Sequence, residues 1–215
     1  SPLEYAIMSG HVPMIRLLVE KGGASVKGDV WPRPSQLAGD YGSVEVAQEL
    51  VRLGAGVSMQ DLINAAGHSH CAVAKFLIEN GGLNVNTRMS CGRPALLGDT
   101  VLHYATTPEM MQLLLNHGAD LALMDSDGRT PLHIAILHGR IEAALFLIAK
   151  GASVEVKDNY ANRTPIEYAL DDDSAQALHQ AAAQYANPPA ADTVERSKHN
   201  RGDGEAKLGA GCGTQ

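Results

Sequence analysis

The chain has 215 residues, enough for one or two ordinary domains or one elongated array; 45% are apolar but only 4% aromatic. A core so poor in rings must be built from Leu, Ile, Val and Ala, which suits close-packed helices better than a β-sandwich or barrel. A net charge of −7 argues against a nucleic-acid footprint and against anionic membrane surfaces, and no stretch approaches the roughly 18–20 apolar residues of a membrane span.

In chain order, "SPLEYAIMSGH" (1–11) places Ser-Pro before a short apolar-periodic run, and "RLLVEKGGASV" (16–26) closes a second run on glycine. "VWPRP" (30–34) is a loop holding the single Trp, Trp31, and "ELVRLGAGVS" (49–58) ends the next helix pair. That pair runs almost directly into "SMQDLINAA", so the connection there should be missing or stunted. "KFLIENGGLNV" (75–85) ends a third pair. "NTRMSCGRPALLGD" (86–99) is longer than the regular spacing and should protrude. In "HYATTPEMMQLLL" (103–115) residues are missing between the two helices, so that loop should be tight, with Pro108 opening the second helix.

"DGRTPLHIAILHGR" (127–140) is the clearest unit. Thr130 stands at an N-cap and Pro131 at the first helical position, where its missing N–H costs nothing. Leu132, Ala135 and Ile136 share one face, and Gly139 stops the helix. Ile141, Ala144, Leu145 and Ile148 form the stripe of a second helix ending at Gly151. Two such short helices cannot bury their faces alone and need a neighbour on each side. The last unit holds "TPIEYA" (164–169) and "DDDSAQALHQAAAQYA" (171–186). Its helix carries negative charge at its start, where the dipole favours it, and Leu178, Ala181, Ala182 and Tyr185 on one side. From Asn187 to Gln215, Gly, Pro and charge dominate and a disordered tail is expected.

"GDTVLHYA", "GRTPLHIA", "TPIEYA" and "SPLEYA" are one motif recurring at a period near 33 residues, the mark of a stacked array. With its T-P-L-H-x-A and G-A-D signatures the chain resembles the ankyrin repeat family. The resemblance implies an all-α, ankyrin-like solenoid of stacked helix–turn–helix repeats with β-turn finger loops. The repeats fall at roughly 1–29, 30–58, 59–86, 95–122, 125–157 and 159–186, making 1–186 one domain before the tail at 187–215. The exposed apolar flank near Ser1 suggests a segment of a longer protein or an upstream element that covers this face, and a simple crystallisation boundary explains it equally well.

The resemblance assigns His103 and His133 to structural hydrogen bonds around the Thr caps, linking neighbouring loops. Glu4, Gln36 and Glu167 are polar at the same place, and Ile63 cannot bond there. "GHSHCA" (67–72) crowds His68, His70 and Cys71 into one turn without the four-ligand set of a zinc site, and a structural reading is preferred. "RGD" (201–203) reads as chance. Tyr5, Tyr104 and Tyr168 recur at one framework position, which favours packing over a ligand ladder. No nucleophile motif, phosphate loop or rigid carboxylate pair is present, so no enzyme, cofactor or metal is expected.

The resemblance leaves the concave surface to carry function, through positions the framework does not use. These are Tyr41, Leu96, Leu97, Asp99, Ser126, Asp127, Arg129, Leu137, His138, Tyr160 and Arg163, continued by Met8, Asp40 and His68. Trp31 is either an anchor or the filler of an irregular loop. The expected function is a non-catalytic module binding a protein partner, with no nucleic acid and no membrane. The absence of a secretory signal and the odd, scattered cysteines Cys71, Cys91 and Cys212 make a reducing, cytoplasmic setting the expectation. A monomer is expected. The alternative is the recognition segment of a larger enzyme of kinase or ubiquitin-ligase type.

Overall fold

The structure is a computed structural model that describes residues 1–27, 33–89 and 98–186. Helices are α1 (Pro2–Met8), α2 (Val12–Glu20), α3 (Pro34–Tyr41), α4 (Val44–Arg52), α5 (Met59–Gly67), α6 (Cys71–Gly81), α7 (Val101–Tyr104), α8 (Pro108–Asn116), α9 (Pro131–Leu137) and α10 (Ile141–Ala149). A 3₁₀ turn (Ile166–Tyr168) and α11 (Asp172–Ala186) complete them. No strand occurs among the described residues.

The helices pair into tiers, each with an inner and an outer member. Inner helices pack in sequence (α1 on α3, α3 on α5, α5 on α7, α7 on α9, α9 on the 3₁₀ turn), and outer helices do the same from α2 to α11. One apolar spine runs from Leu3 to Leu178. Leu132, Ile136 and Leu147 are fully buried in it, each stabilising the stack by about 1.5–3 kcal/mol through removal from water. On α10 the buried stripe is Ala143, Ala144, Leu147 and Ile148, whereas Ile141 and Leu145 are only half-buried. This differs from the expected stripe because α10 meets α8, α9 and α11 at once and so buries a broader face. Tyr185, expected beside Leu178, is 48% exposed, in the last turn of α11.

The caps follow the sequence. Ser1–Pro2, Arg33–Pro34 and Thr130–Pro131 open inner helices with proline in the first turn. The inter-helix turn needs a positive φ; Gly139 supplies it at +67°, and in the third tier Ser69 takes the same conformation at +60°. Ser69 Oγ lies 2.6 Å from Thr106 Oγ1, which ties that turn to the fourth tier.

Three irregularities follow the chain lengths. Only residues 53–58 separate α4 from α5, leaving no room for a finger. α7 has four residues and 105–107 alone lead to α8, with Pro108 in its first turn; Arg140, the N-cap residue of α10, reaches back to the Ala105 carbonyl at 3.5 Å. α5 begins two residues ahead of the place the repeat spacing predicts. The acceptor at its N-terminus is therefore Asp61, whose Oδ2 takes the Ser58 N–H at 2.8 Å, while Ile63 is simply buried. The long connection at 86–99 falls largely outside the described residues.

Candidate interaction surface

The fifth and sixth fingers are each built on an aspartate. In the fifth, Asp125 Oδ1 accepts the backbone N–H groups of Asp127 and Arg129, both at 2.8 Å, and the Asp125 N–H closes the turn on the Arg129 carbonyl. In the sixth, Asp158 accepts from the N–H groups of Tyr160, Ala161 and Arg163 and from the Tyr168 hydroxyl at 2.8 Å. Burial alone would raise the Asp158 carboxyl, but these donors outweigh it and hold it at about 2. Asp125 has fewer donors, and burial leaves its carboxyl above the usual value. Asn159 N–H donates to the Asp127 carbonyl at 2.7 Å, joining the two fingers.

Histidines fix the fingers to the helices. His133 Nδ1 accepts the Thr130 N–H at 3.1 Å. Because that nitrogen is an acceptor, the proton sits on Nε2, which donates to the Arg163 carbonyl of the next finger at 3.3 Å. His103 repeats this between the Thr100 N–H and the Arg129 carbonyl, both at 3.1 Å. Burial pushes both imidazoles below the ordinary histidine range, so they stay neutral in these roles.

On this base stands the exposed surface. Tyr160 is 78% exposed, and the Arg129 guanidinium lies over its ring at 5.7 Å while pairing with Asp127 at 3.1 Å. Arg129 Nε is buried without an acceptor. Arg163 lies over the Tyr168 ring at 5.6 Å. Ser126 and His138 are exposed and Leu137 is half-buried, with His138 Nδ1 donating to the Ile134 carbonyl at 2.9 Å. Tyr41 is exposed at the end of α3, Met8 at the end of α1 and His68 after α5. Asp40 is half-buried.

Asp99 departs from the expectation of a surface group. It is buried, and its Oδ2 accepts the Tyr104 hydroxyl at 2.8 Å, so its acceptor belongs to the framework. Leu96, Leu97 and Trp31 lie outside the described residues, as do Cys91, Cys212 and the 187–215 tail. The recurring tyrosines divide: Tyr104 and Tyr168 brace finger aspartates, whereas Tyr5 is 75% exposed. His68 and His70 stack at 5.9 Å, but each has a ring nitrogen against a backbone carbonyl, of Asn64 and Asp40. Burial raises the Cys71 thiol, which keeps it protonated.

Two features escaped sequence reasoning. Asp158 and Tyr168 brace the sixth finger, and the signal was Asp125…Arg129-Thr130 recurring as Asp158…Arg163-Thr164. On the outer face, buried Glu49 receives Arg16 at 3.0 Å and Arg52 at 2.6 Å, and Arg52 also meets Glu20 at 2.9 Å. Opposite charges one repeat apart were the signal there.

The stack of helix pairs, Asp-based fingers and His-bridged caps define a tandem-repeat solenoid. Residues 62–158 match the family described as ankyrin repeats (3 copies), and residues 1–28 match the single ankyrin repeat, together more than half of the chain. The chain belongs to the ankyrin repeat family. The putative ankyrin repeat protein YahD of Escherichia coli (strain K12) is 38% identical over 93 residues, 42% of this chain and 46% of that protein. The putative palmitoyltransferase ZDHHC13 of Danio rerio is 30% identical over 130 residues, 56% of this chain and 19% of that protein. The chain thus spans less than half the length of these relatives. The ankyrin repeat domain of human ASB11 has the same fold, with a TM-score of 0.72 and 24% identity over 87% of this chain and 84% of that one. As an ankyrin-repeat array, the chain is a protein–protein interaction module.

Proposed function

We propose that this chain is a non-catalytic module whose concave finger and inner-helix surface binds a protein partner, with the Asp127–Arg129–Tyr160 cluster at its centre. The supporting observation is an almost fully exposed tyrosine held by a cation whose Nε has no acceptor. Exposed aromatic and Arg groups are the commonest interface anchors. Rigid tiers present Leu137, His138, Ser126, Arg163 and, further along, Tyr41 with little ordering cost on binding. The reading treats residues 1–186 as one repeat domain, acting as a cytoplasmic monomer with no nucleic-acid or membrane surface.

The test replaces Arg129, Leu137 and Tyr160 by Ala together. A partner captured by the parent chain, then purified, should lose at least about 30-fold in affinity, since one such anchor alone is worth roughly 2 kcal/mol. Unchanged affinity with an intact circular dichroism spectrum removes the concave-face assignment.

A second reading is the recognition segment of a larger enzyme. Its support is that the match to the putative palmitoyltransferase covers only 19% of that protein. The reading frame around this chain decides it: a catalytic domain fused to the repeats supports the reading, and a complete frame of repeats alone removes it.

A further inference from the structure

The far end of the stack carries a second surface. The last inner element is the three-residue 3₁₀ turn where α9 has seven residues, and the chain enters α11 by Asp172. Between that turn, the sixth finger and α11 lies a groove of about 770 Å³. This is within the range of roughly 300–1,000 Å³ seen for small binding clefts. Its floor is apolar, formed by Val154, Ile166, Ala175 and Ala182. Glu155, Glu167, Asp171 and Asp172 stand at its rim, all exposed, with His179 beside them, and among the described residues no Lys or Arg lines it.

Two of these carboxylates are fixed in place. Glu167 Oε2 accepts the Thr164 N–H at 2.6 Å, and Asp171 accepts the N–H and hydroxyl of Ser174 at 2.7 and 2.9 Å. Those bonds hold both groups below the usual carboxylate range, so they are charged at neutral pH. Lys157 and Arg163 are close enough to act on Glu167, but neither lines the groove.

We propose that this groove docks a basic peptide segment of a partner protein, its apolar side chains on the floor and its Lys or Arg heads against the carboxylate rim. The rim charge selects that occupant. A further apolar tier stacked here would bury four carboxylates in a groove that no described Lys or Arg lines, and uncompensated buried charge costs several kcal/mol. An acidic segment would be repelled, and so would an anionic lipid surface. A Lys or Arg stem covers apolar surface while its head pairs with the rim. The chain's net charge of −7 steers the same class of partner toward it. The groove lies at the end of the array rather than on its concave face, so it extends the interaction surface without replacing the cluster at Tyr160.

The experiment uses the full chain and a fluorescein-labelled Leu/Lys peptide, with a Leu/Glu peptide of equal length as control. The Leu/Lys probe should bind saturably and weaken with salt, and the Leu/Glu probe should not bind. Ala183→Arg, which places a cation in the groove from exposed α11, should weaken the Leu/Lys probe by about tenfold or more. Glu155→Gln with Asp172→Asn changes exposed groups that make no side-chain hydrogen bond, so folding is preserved, and it should weaken binding several-fold and flatten the salt dependence. The triple concave-face variant should bind the probe as the parent does, which separates failure here from failure of the concave-face reading. Equal binding of both probes, or binding untouched by the double neutralisation, overturns the proposal.

Discussion

The two halves of the stack solve one problem with different chemistry. In tiers four and five, a buried imidazole accepts the cap N–H on one side and donates to the next finger on the other. In tiers two and three the same place is held by Gln36 and Asp61, whose oxygens accept the Arg33 and Ser58 N–H groups. The Asp61 carboxylate caps but has no proton to pass across, and Gln36 caps through its amide oxygen. The polar link between tiers one and two lies instead on the outer helices, where Glu49 of α4 takes Arg16 of α2 and Arg52 returns to Glu20. A cap needs only an acceptor; a bridge to the next tier needs a donor on the far side of the same group.

The largest expected effect breaks the bridge. His133→Ala removes a fully buried ring, leaves the Thr130 N–H and Arg163 carbonyl unsatisfied, and should cost about 3 kcal/mol. Gln36→Ala loses a cap alone and should cost about 1 kcal/mol. Urea unfolding at pH 7 measures both. Equal losses would show that the imidazole does no more than a cap.

Next is the contact between fingers five and six. Gly128 has φ of +76°, and a Cβ there would lie 2.7 Å from the Asn159 side chain and 2.9 Å from its backbone nitrogen. Gly128→Ala should therefore cost about 2 kcal/mol from left-handed strain and the displaced finger together. Gly118, with φ of +83° and open space around it, should lose only about 1 kcal/mol on the same change. If the two glycines respond alike in thermal unfolding, the fingers are not in close register.

A smaller effect is expected on the outer face. Glu49→Gln keeps the shape and removes the charge that two half-exposed arginines share, and should cost about 1 kcal/mol. The loss should shrink in high salt, whereas that of His133→Ala should not.

How legible all this was in the sequence depended on whether a feature lay within one repeat. Thr130-Pro131, Gly139 and the Leu132–Ile136 face could be read directly, because caps, turns and periodicity are local. His133 took its role from the family resemblance, and its second partner, the Arg163 carbonyl, lies on the next finger. Asp99 was read as surface because its position belongs to a finger, but Tyr104 reaches up to it from α7. The start of α5 was misplaced because the repeat spacing pointed at Ile63, while Ser58 and Asp61 offered a working cap two residues earlier. Whether Arg129 faces solvent or a tyrosine depends on two fingers packing together, and no single repeat encodes that.

The smallest and most discriminating effect is that of mild acid. His103 and His133 titrate below the ordinary 6.5 because burial disfavours the cation, even with Asp99 and Asp125 facing the first and Asp158 and Asp125 the second; the Arg129 cation lowers His133 further. The unfolded chain therefore holds more protons just below that pH, so stability falls as pH drops through 6.5 and levels off beneath the folded values. Glu49 and Asp158 are held at about 2, so their contribution is intact above the ordinary carboxylate range and is lost only as pH falls from there toward 2. Burial raises Asp61 and Asp125 above 3.8, which works in the opposite sense near that pH. Between about pH 6.5 and 5 the imidazole bridges should thus weaken while the Glu49 network holds. Hydrogen exchange, corrected for its intrinsic pH dependence, should show α9 and α10 losing protection at pH 5 relative to pH 7, with α3 and α4 nearly unchanged. Uniform loss along the stack would mean that the tiers unfold as one unit, and that the two kinds of polar link do not divide its stability.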